Sequence, residues 1–242
     1  PLITHPVSSS LLSVKLPDFF IHGDKAANTE RANNAIRDFV KDCLGRNPGD
    51  RGYSSQGIFK NEPDRFALGR FFYTHFALRF KLAEENIASL GAFWHRIPAD
   101  SRFPDHSIWQ HNALTSAVYS LMKPTPNEPA GDPRNIGIMV FSITPVQGFI
   151  NQARKLRDFW TGSLILSWLA FEGIRWVMEN LGPDHILYPS LIDQPLVNEY
   201  LQNEWKIEYV QLWSRDNQPK DIATFPNKFV FLCPFDESEK TA

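Results

Sequence analysis

Hydrophobic and polar positions alternate along this 242-residue chain with two different periods. Ala32, Ala35, Ile36, Phe39, Val40, Cys43 and Leu44 recur at helical spacing, which predicts a helix from Asn28 or Thr29 to a stop at Gly45. Residues 47–60 read as a polar loop. Over 63–97 the apolar set (Phe66, Leu68, Phe71, Phe72, Phe76, Leu78, Phe80, Leu82, then Ile87, Leu90, Phe93 and Trp94) predicts the most apolar helical stretch of the first half, aimed at a core. Ile108, Leu114, Ala117, Val118 and Leu121 form a further helical stripe within 104–122. KPTPNEPAGDPRN at 123–135 holds four prolines, a density that stops helices and inner strands, and is read as a linker.

Beyond it, residues 136–163 read IGIMVFSITPVQGFINQARKLRDFWTGS. Ile136, Ile138, Met139, Val140, Phe141 and Ile143 predict a buried strand, stopped at Thr144 and Pro145. Pro145 suits a first helical position, so the Val146 and Gln147 amides are left free to attract an anion. Val146, Phe149, Ile150, Ala153, Leu156 and Trp160 form the packing face of the helix, with Gln147, Asn151, Arg154, Lys155 and Asp158 on its other sides. Thr161 is read as the cap of a second helix ending near Gly182. Short strands at 185–189, 206–213 and 228–233 and a helix at 193–202 complete an α+β pattern that suits a ferredoxin-like sheet. The expected division is a mostly helical region at 1–122, the linker at 123–135 and a mixed domain at 136–242.

The composition is 43% hydrophobic and 21% charged, with seven Trp and nineteen Phe. A net charge of −2 gives no global attraction to nucleic acid, so RNA contact needs a local basic patch or partner subunits. Cys43 and Cys233 are too few for a disulfide framework or a four-thiolate zinc site. Apolar runs fall short of the roughly twenty residues that span a bilayer, and no secretory leader opens the chain; a cytoplasmic location is expected. The opening PLITHPVSSS without Met is read as that of a fragment.

Asp105, His106 and His111 lie at a helix entry. Imidazole and carboxylate together suit a divalent metal that activates water. The plainer reading of the same residues is a capping Asp105 and a hydrogen-bonded His111.

The string FSITPVQGFINQARKLRDFWTGSLILSWL, followed by LGPDHILYPSLIDQPLVNEYL and ATFPNKFVFLCP, resembles the large subunit of type III-B CRISPR effector complexes, the Cmr family. Upstream, FWHRIPADSRFPDHSIWQHNALTSAVYSLM resembles that subunit's nuclease-like domain. The resemblance implies a remnant of a His-Asp nuclease-like domain followed by the first of two palm domains. It assigns a metal role to His111, with His106 and Asp105 beside it, but the chain contains no His-Asp dipeptide, so a complete metal shell is not expected. In the family the second palm carries a Gly-Gly-Asp-Asp turn, also absent here, that holds metals and activates ATP for cyclic oligoadenylate synthesis. The first palm shares that nucleotide pocket. By analogy Thr144, Gln147, Arg154, Lys155, Arg157 and Ser163 are the candidate nucleotide-binding residues, with ATP and Mg or Mn as the parent's cofactors, none held tightly by this chain alone. Expected partners are the other subunits and, through them, guide and target RNA; no membrane is expected. Two other readings stand beside this one: a non-catalytic scaffold module of the same complex, and a free-standing metal hydrolase built on Asp105, His106 and His111.

Overall fold

The computed structural model describes residues 2–4, 11–13, 24–45, 62–100, 105–123, 130–207 and 222–235. The chain is α+β and separates into two compact units, one formed by Pro1–Asn112 with Ile207–Gln211, the other by Ala113–Lys206 with Leu212–Ala242.

In the first unit, strands β1 (Leu2–Thr4) and β2 (Leu11–Ser13) pair antiparallel. Helix α1 (Lys25–Leu44) starts earlier than its apolar stripe does, because the Asp24 side chain accepts hydrogen bonds from the amides of Ala26 and Ala27. It ends at Gly45, whose positive φ of 63° lets its amide reach Lys41 O. Helix α2 (Pro63–Phe72) passes through a π-turn at Tyr73–Ala77 into α3 (Leu78–Glu84). The helix expected to reach residue 97 stops sooner. Asn86, Ala88 and Ser89 adopt positive φ, and two short 3-10 turns, Ile87–Ser89 and Gly91–His95, replace the remaining α-turns. Leu78, Leu82 and Trp94 form the core here, with Ile36, Phe39, Val40 and Trp109 packed against it.

His95 lies against the Phe80 ring at 4.8 Å, and its Nδ1 is buried with no partner among the described residues. Desolvation, reinforced by the Arg79 and Arg96 charges, lowers its pKa below 6.5. The folded state therefore binds fewer protons than the unfolded one as pH falls from 6.5 toward the depressed value. Stability should be full above that window and decline through it, a decline that His95→Phe removes when unfolding midpoints are compared at pH 7.5 and 5.

Helix α4 (Ile108–Met122) runs across the boundary between the units. In the second unit, β3 (Ile136–Ser142) is followed by the single-turn α5 (Val146–Ile150), the long α6 (Leu156–Asn180), β4 (Ile186–Tyr188), α7 (Pro195–Trp205) and β5 (Lys228–Pro234). The sheet order is β3-β5-β4, both pairings antiparallel, so β3 and β4 run parallel with β5 between them. Leu166, Ala170, Ile174, Val177 and Met178 form the buried stripe of α6. At Gly173 the helix comes so close to the sheet that an added Cβ would sit 3.0 Å from the Phe229 ring. On the opposite sheet face Ala117 and Leu121 of α4 pack on Leu232, beside Ile136.

Two expectations about this unit are corrected. The break after α5 falls at residues 151–155 rather than at Thr161, and α6 runs unbroken through 161–163. There the Thr161 and Ser163 hydroxyls bond back to the carbonyls of Arg157 and Phe159, so neither caps a new helix. The apolar run 136–142 forms a strand as expected but lies at a sheet edge, with Ile138 70% and Val140 61% exposed. The expected strand at 206–213 falls, apart from its first two residues, outside the described residues, as do the loop at 47–60 and the linker prolines 124, 126 and 129. Among the described residues no helix is long and apolar enough to cross a membrane.

Candidate functional site

The six candidate nucleotide-binding residues occupy one continuous stretch between the end of β3 and the second turn of α6. Thr144, Gln147, Arg154, Lys155 and Arg157 are exposed and Ser163 is half-buried. Among the described residues, none of the six is hydrogen-bonded to another.

The anion-attracting helix start is not where the sequence pattern puts it. Pro145 is extended (φ −89°, ψ 116°) and precedes α5, which at five residues has almost no macrodipole. The helix with a substantial dipole is the 25-residue α6. Lys155 is the extended residue at its N-terminus, no side chain caps it, and its first turn holds Arg157 and Asp158. Arg154 precedes the helix, so an i,i+4 pair with Asp158 is not set up. Three cations within four residues at the positive end of a long helix are electrostatically unfavourable, offset only by Asp158; an anion there would relieve them. Phe149, Phe159 and Trp160, exposed by 45%, 48% and 46%, flank this stretch.

In the first unit, the helix bearing the histidines is capped by Ser107 and Gln110, not by Asp105. The Ser107 amide donates to Gln110 Oε1 (2.9 Å) and the Gln110 amide to Ser107 Oγ (3.3 Å), a reciprocal capping box. Asp105 is thereby left to meet His106 Nδ1 at 2.7 Å, and His106 Nε2 lies 3.3 Å from His111 Nδ1 with the rings stacked. The His106 contact, first among several causes, holds the Asp105 carboxyl below its usual range. A neutral His106 ring that carries its proton on Nδ1, facing the carboxylate, has Nε2 bare. That bare nitrogen and His111 Nδ1 are separated by about the distance two nitrogens take on one tetrahedral ion. A third ligand does not follow: among the described residues no group of three His, Cys, Asp or Glu is placed to hold a metal. Asp105 stands behind His106, where it orients the ring rather than ligates. Among the described residues these three do not make up a metal site by themselves.

A buried network that sequence reasoning passed over lies in the second unit. His185 Nδ1 is 3.0 Å from Asp184 Oδ1 and Nε2 is 3.3 Å from Ser120 Oγ, with Asp184 and His185 both nearly sealed from solvent. The connectivity is that of an acyl-transfer triad, but the Ser120 hydroxyl has a nearer acceptor in Ala117 O at 2.8 Å. The network works as a tie between α4 and the turn before β4. The signal in the sequence was the pair Asp184–His185 between a helix stop and a strand.

The family described as "CRISPR-associated protein Cmr2, N-terminal" matches residues 138–242, the region of β3, α6 and β5. The chain is 27% identical over 254 residues to "CRISPR system Cmr subunit Cmr2" of Pyrococcus furiosus, covering 99% of this chain and 26% of that protein. It is 33% identical over 134 residues to "CRISPR system CMR subunit Cmr2" of Saccharolobus solfataricus, covering 55% of this chain and 12% of the other. The chain thus spans about a quarter of the length of one relative and about an eighth of the other.

Proposed function

Because the chain is a relative of the Cmr2 subunits of CRISPR systems, we propose that it acts as part of the large subunit of a type III-B RNA-guided antiviral complex in the cytoplasm. In this reading residues 136–242 are a first palm that contributes one side of an ATP pocket used for cyclic oligoadenylate synthesis. Residues 1–122 are what remains of a nuclease-like domain, and contact with guide and target RNA is made mainly through the other subunits. The order β3-β5-β4 with α6 between β3 and β4 supports the palm reading, since it reproduces the first three strands of a ferredoxin-like split β-α-β.

The single observation that carries the nucleotide role is the grouping of Arg154, Lys155 and Arg157, all exposed, at the uncapped start of α6. There they are suited to a polyphosphate, with Thr144, Gln147 and Ser163 as further polar contacts. Mg or Mn belongs in this reading to the carboxylate-bearing half supplied by other sequence, not to Asp105, His106 and His111.

Equilibrium binding of radiolabelled ATP to the reconstituted complex tests it. The triple variant Arg154→Ala, Lys155→Ala, Arg157→Ala should bind about tenfold or more weakly, the loss expected from one or more charge-assisted hydrogen bonds. Unchanged affinity in a fully assembled complex would leave the second reading, a scaffold module without nucleotide contacts. That reading is favoured by the exposed apolar residues of α6, among them Trp168 at 53% and Trp176 at 59%.

A further inference from the structure

The single-turn α5 packs back on α6 rather than leading away from it. The Asn151 amide donates to Gln147 O at 2.9 Å and the Ala153 amide to Ile150 O at 3.0 Å, so the chain turns within residues 151–155 before α6 begins. That turn lays the Phe149 ring on α6 at Gly162, where an added Cβ would lie 3.4 Å from Phe149 Cε1 and 3.9 Å from Cδ1. Glycine weakens a helix interior; here it gives the ring a seat against the helix backbone. Gly162 is buried, yet Phe149 remains 45% exposed. The ring is held by one edge and the rest of it is open.

One turn before Gly162 on the same face of α6 stands Phe159, 48% exposed. One turn before that is Lys155, whose carbonyl accepts the Phe159 amide at 3.1 Å. Lys155, Phe159 and Gly162 stand at i, i+4 and i+7, positions that share a helix face. A cation, a ring and a second ring thus follow one another along about 10 Å of helix axis, at a rise of 1.5 Å per residue. Trp160, also exposed, is about 100° round the helix from Phe159 and belongs to another face. The open rings would gain from a flat apolar partner, while the cations at the α6 entry would gain from phosphate. A nucleotide carries both, joined by a ribose, at a reach that fits this spacing.

We propose that Phe149 and Phe159 form a stacking platform for the base of the nucleotide whose phosphates meet Arg154, Lys155 and Arg157, so that the site takes nucleoside polyphosphates and prefers purines to pyrimidines. The inference rests on the nucleotide reading above and adds the base end of the site to it. A bound nucleotide lies along α6, with its phosphates at the helix entry and its base one to two turns further on. Stacking needs a π-face rather than particular hydrogen bonds, so the platform favours the larger ring system without choosing between adenine and guanine. Because Phe149 is already seated on Gly162, little side-chain freedom is lost when the base arrives.

Displacement of radiolabelled ATP from the reconstituted complex by ATP, CTP and inorganic tripolyphosphate tests the platform. Wild type should bind ATP on the order of tenfold or more tightly than tripolyphosphate, with CTP between them. Phe149→Leu and Phe159→Leu keep an apolar side chain but lose the π-face. Each should cut the advantage of ATP severalfold while leaving tripolyphosphate affinity unchanged, and Trp160→Leu should leave that advantage as it is. Should the phenylalanine variants fail to assemble, the wild-type comparison decides alone. Equal affinity of wild type for ATP and tripolyphosphate would overturn the platform, as would an ATP advantage that survives both phenylalanine variants or falls equally with Trp160→Leu. Each of those results leaves the cation site standing. No binding of ATP by the wild-type complex removes the nucleotide reading, and the platform with it.

Discussion

His185→Leu should destabilise the second unit by about 1–3 kcal/mol, the range for leaving a buried polar group without its hydrogen-bond partner. The imidazole lies 3.0 Å from the Asp184 carboxylate, and the residues are 2% and 5% exposed, so water cannot take over the contact. Leucine fills much of the ring's volume, which separates the electrostatic loss from a cavity. Asp184→Asn keeps an acceptor for the ring N–H and should cost about 1–2 kcal/mol. The double variant Asp184→Leu, His185→Leu should cost less than His185→Leu alone, because no carboxylate then remains buried without a partner. Chemical denaturation followed by exchange at α6 amides measures all three. A loss below about 1 kcal/mol for His185→Leu would mean that the pair carries little of the unit's stability.

Phe76→Ala should unfold the first unit at markedly lower denaturant. Phe76 sits in the π-turn, fully buried, with Phe72 edge-on at 6.2 Å and the His75 ring at 4.7 Å. Truncation removes the transfer free energy of the ring and leaves a cavity, together about 3–5 kcal/mol. Phe76→Leu, which keeps most of the volume, should cost about 1.5 kcal/mol or less. The fluorescence of Trp94 and Trp109 reports unfolding of the unit, since both pack with Leu78 and Leu82 of the helix that follows the π-turn. Equal losses for the two substitutions would show that ring shape, not volume, governs the site.

These variants bear on function because each unit positions one of the candidate sites. The first unit brings Asp105, His106 and His111 into a line of contacts, and the second carries the cations at the start of α6. An engineered loss in one unit that leaves the other's exchange pattern intact separates a folding defect from a lost ligand contact.

The elements with local signals were legible from residue pattern alone. The stripe from Ala32 to Leu44 with Gly45 after it, the strand at 136–142, the helix opened by Pro195 and the strand at 228–233 all form, because periodicity and capping act within a few residues. So did the kinship, since long strings in a fixed order carry more information than a short motif. Local pattern did not fix where one helix breaks and the next begins. Thr161 reads as a cap, yet its hydroxyl is satisfied one turn back within α6, and the break moves to 151–155. Nor did it separate Asp105 from Ser107 as the cap of α4, for both are good capping residues and only the reciprocal bond with Gln110 distinguishes them.

What the amino-acid order determined by itself is which segments are helix or strand and which side chains are apolar enough to be covered. What the tertiary structure alone decided is which of them are covered. Hydrophobicity reports the gain available on leaving water, whereas burial depends on what lies next in space, and for β3 the neighbour on one side is missing among the described residues. The same distinction holds for Asp184 and His185: their adjacency is in the sequence, but the closed surroundings that make the contact matter come from chain segments distant from it.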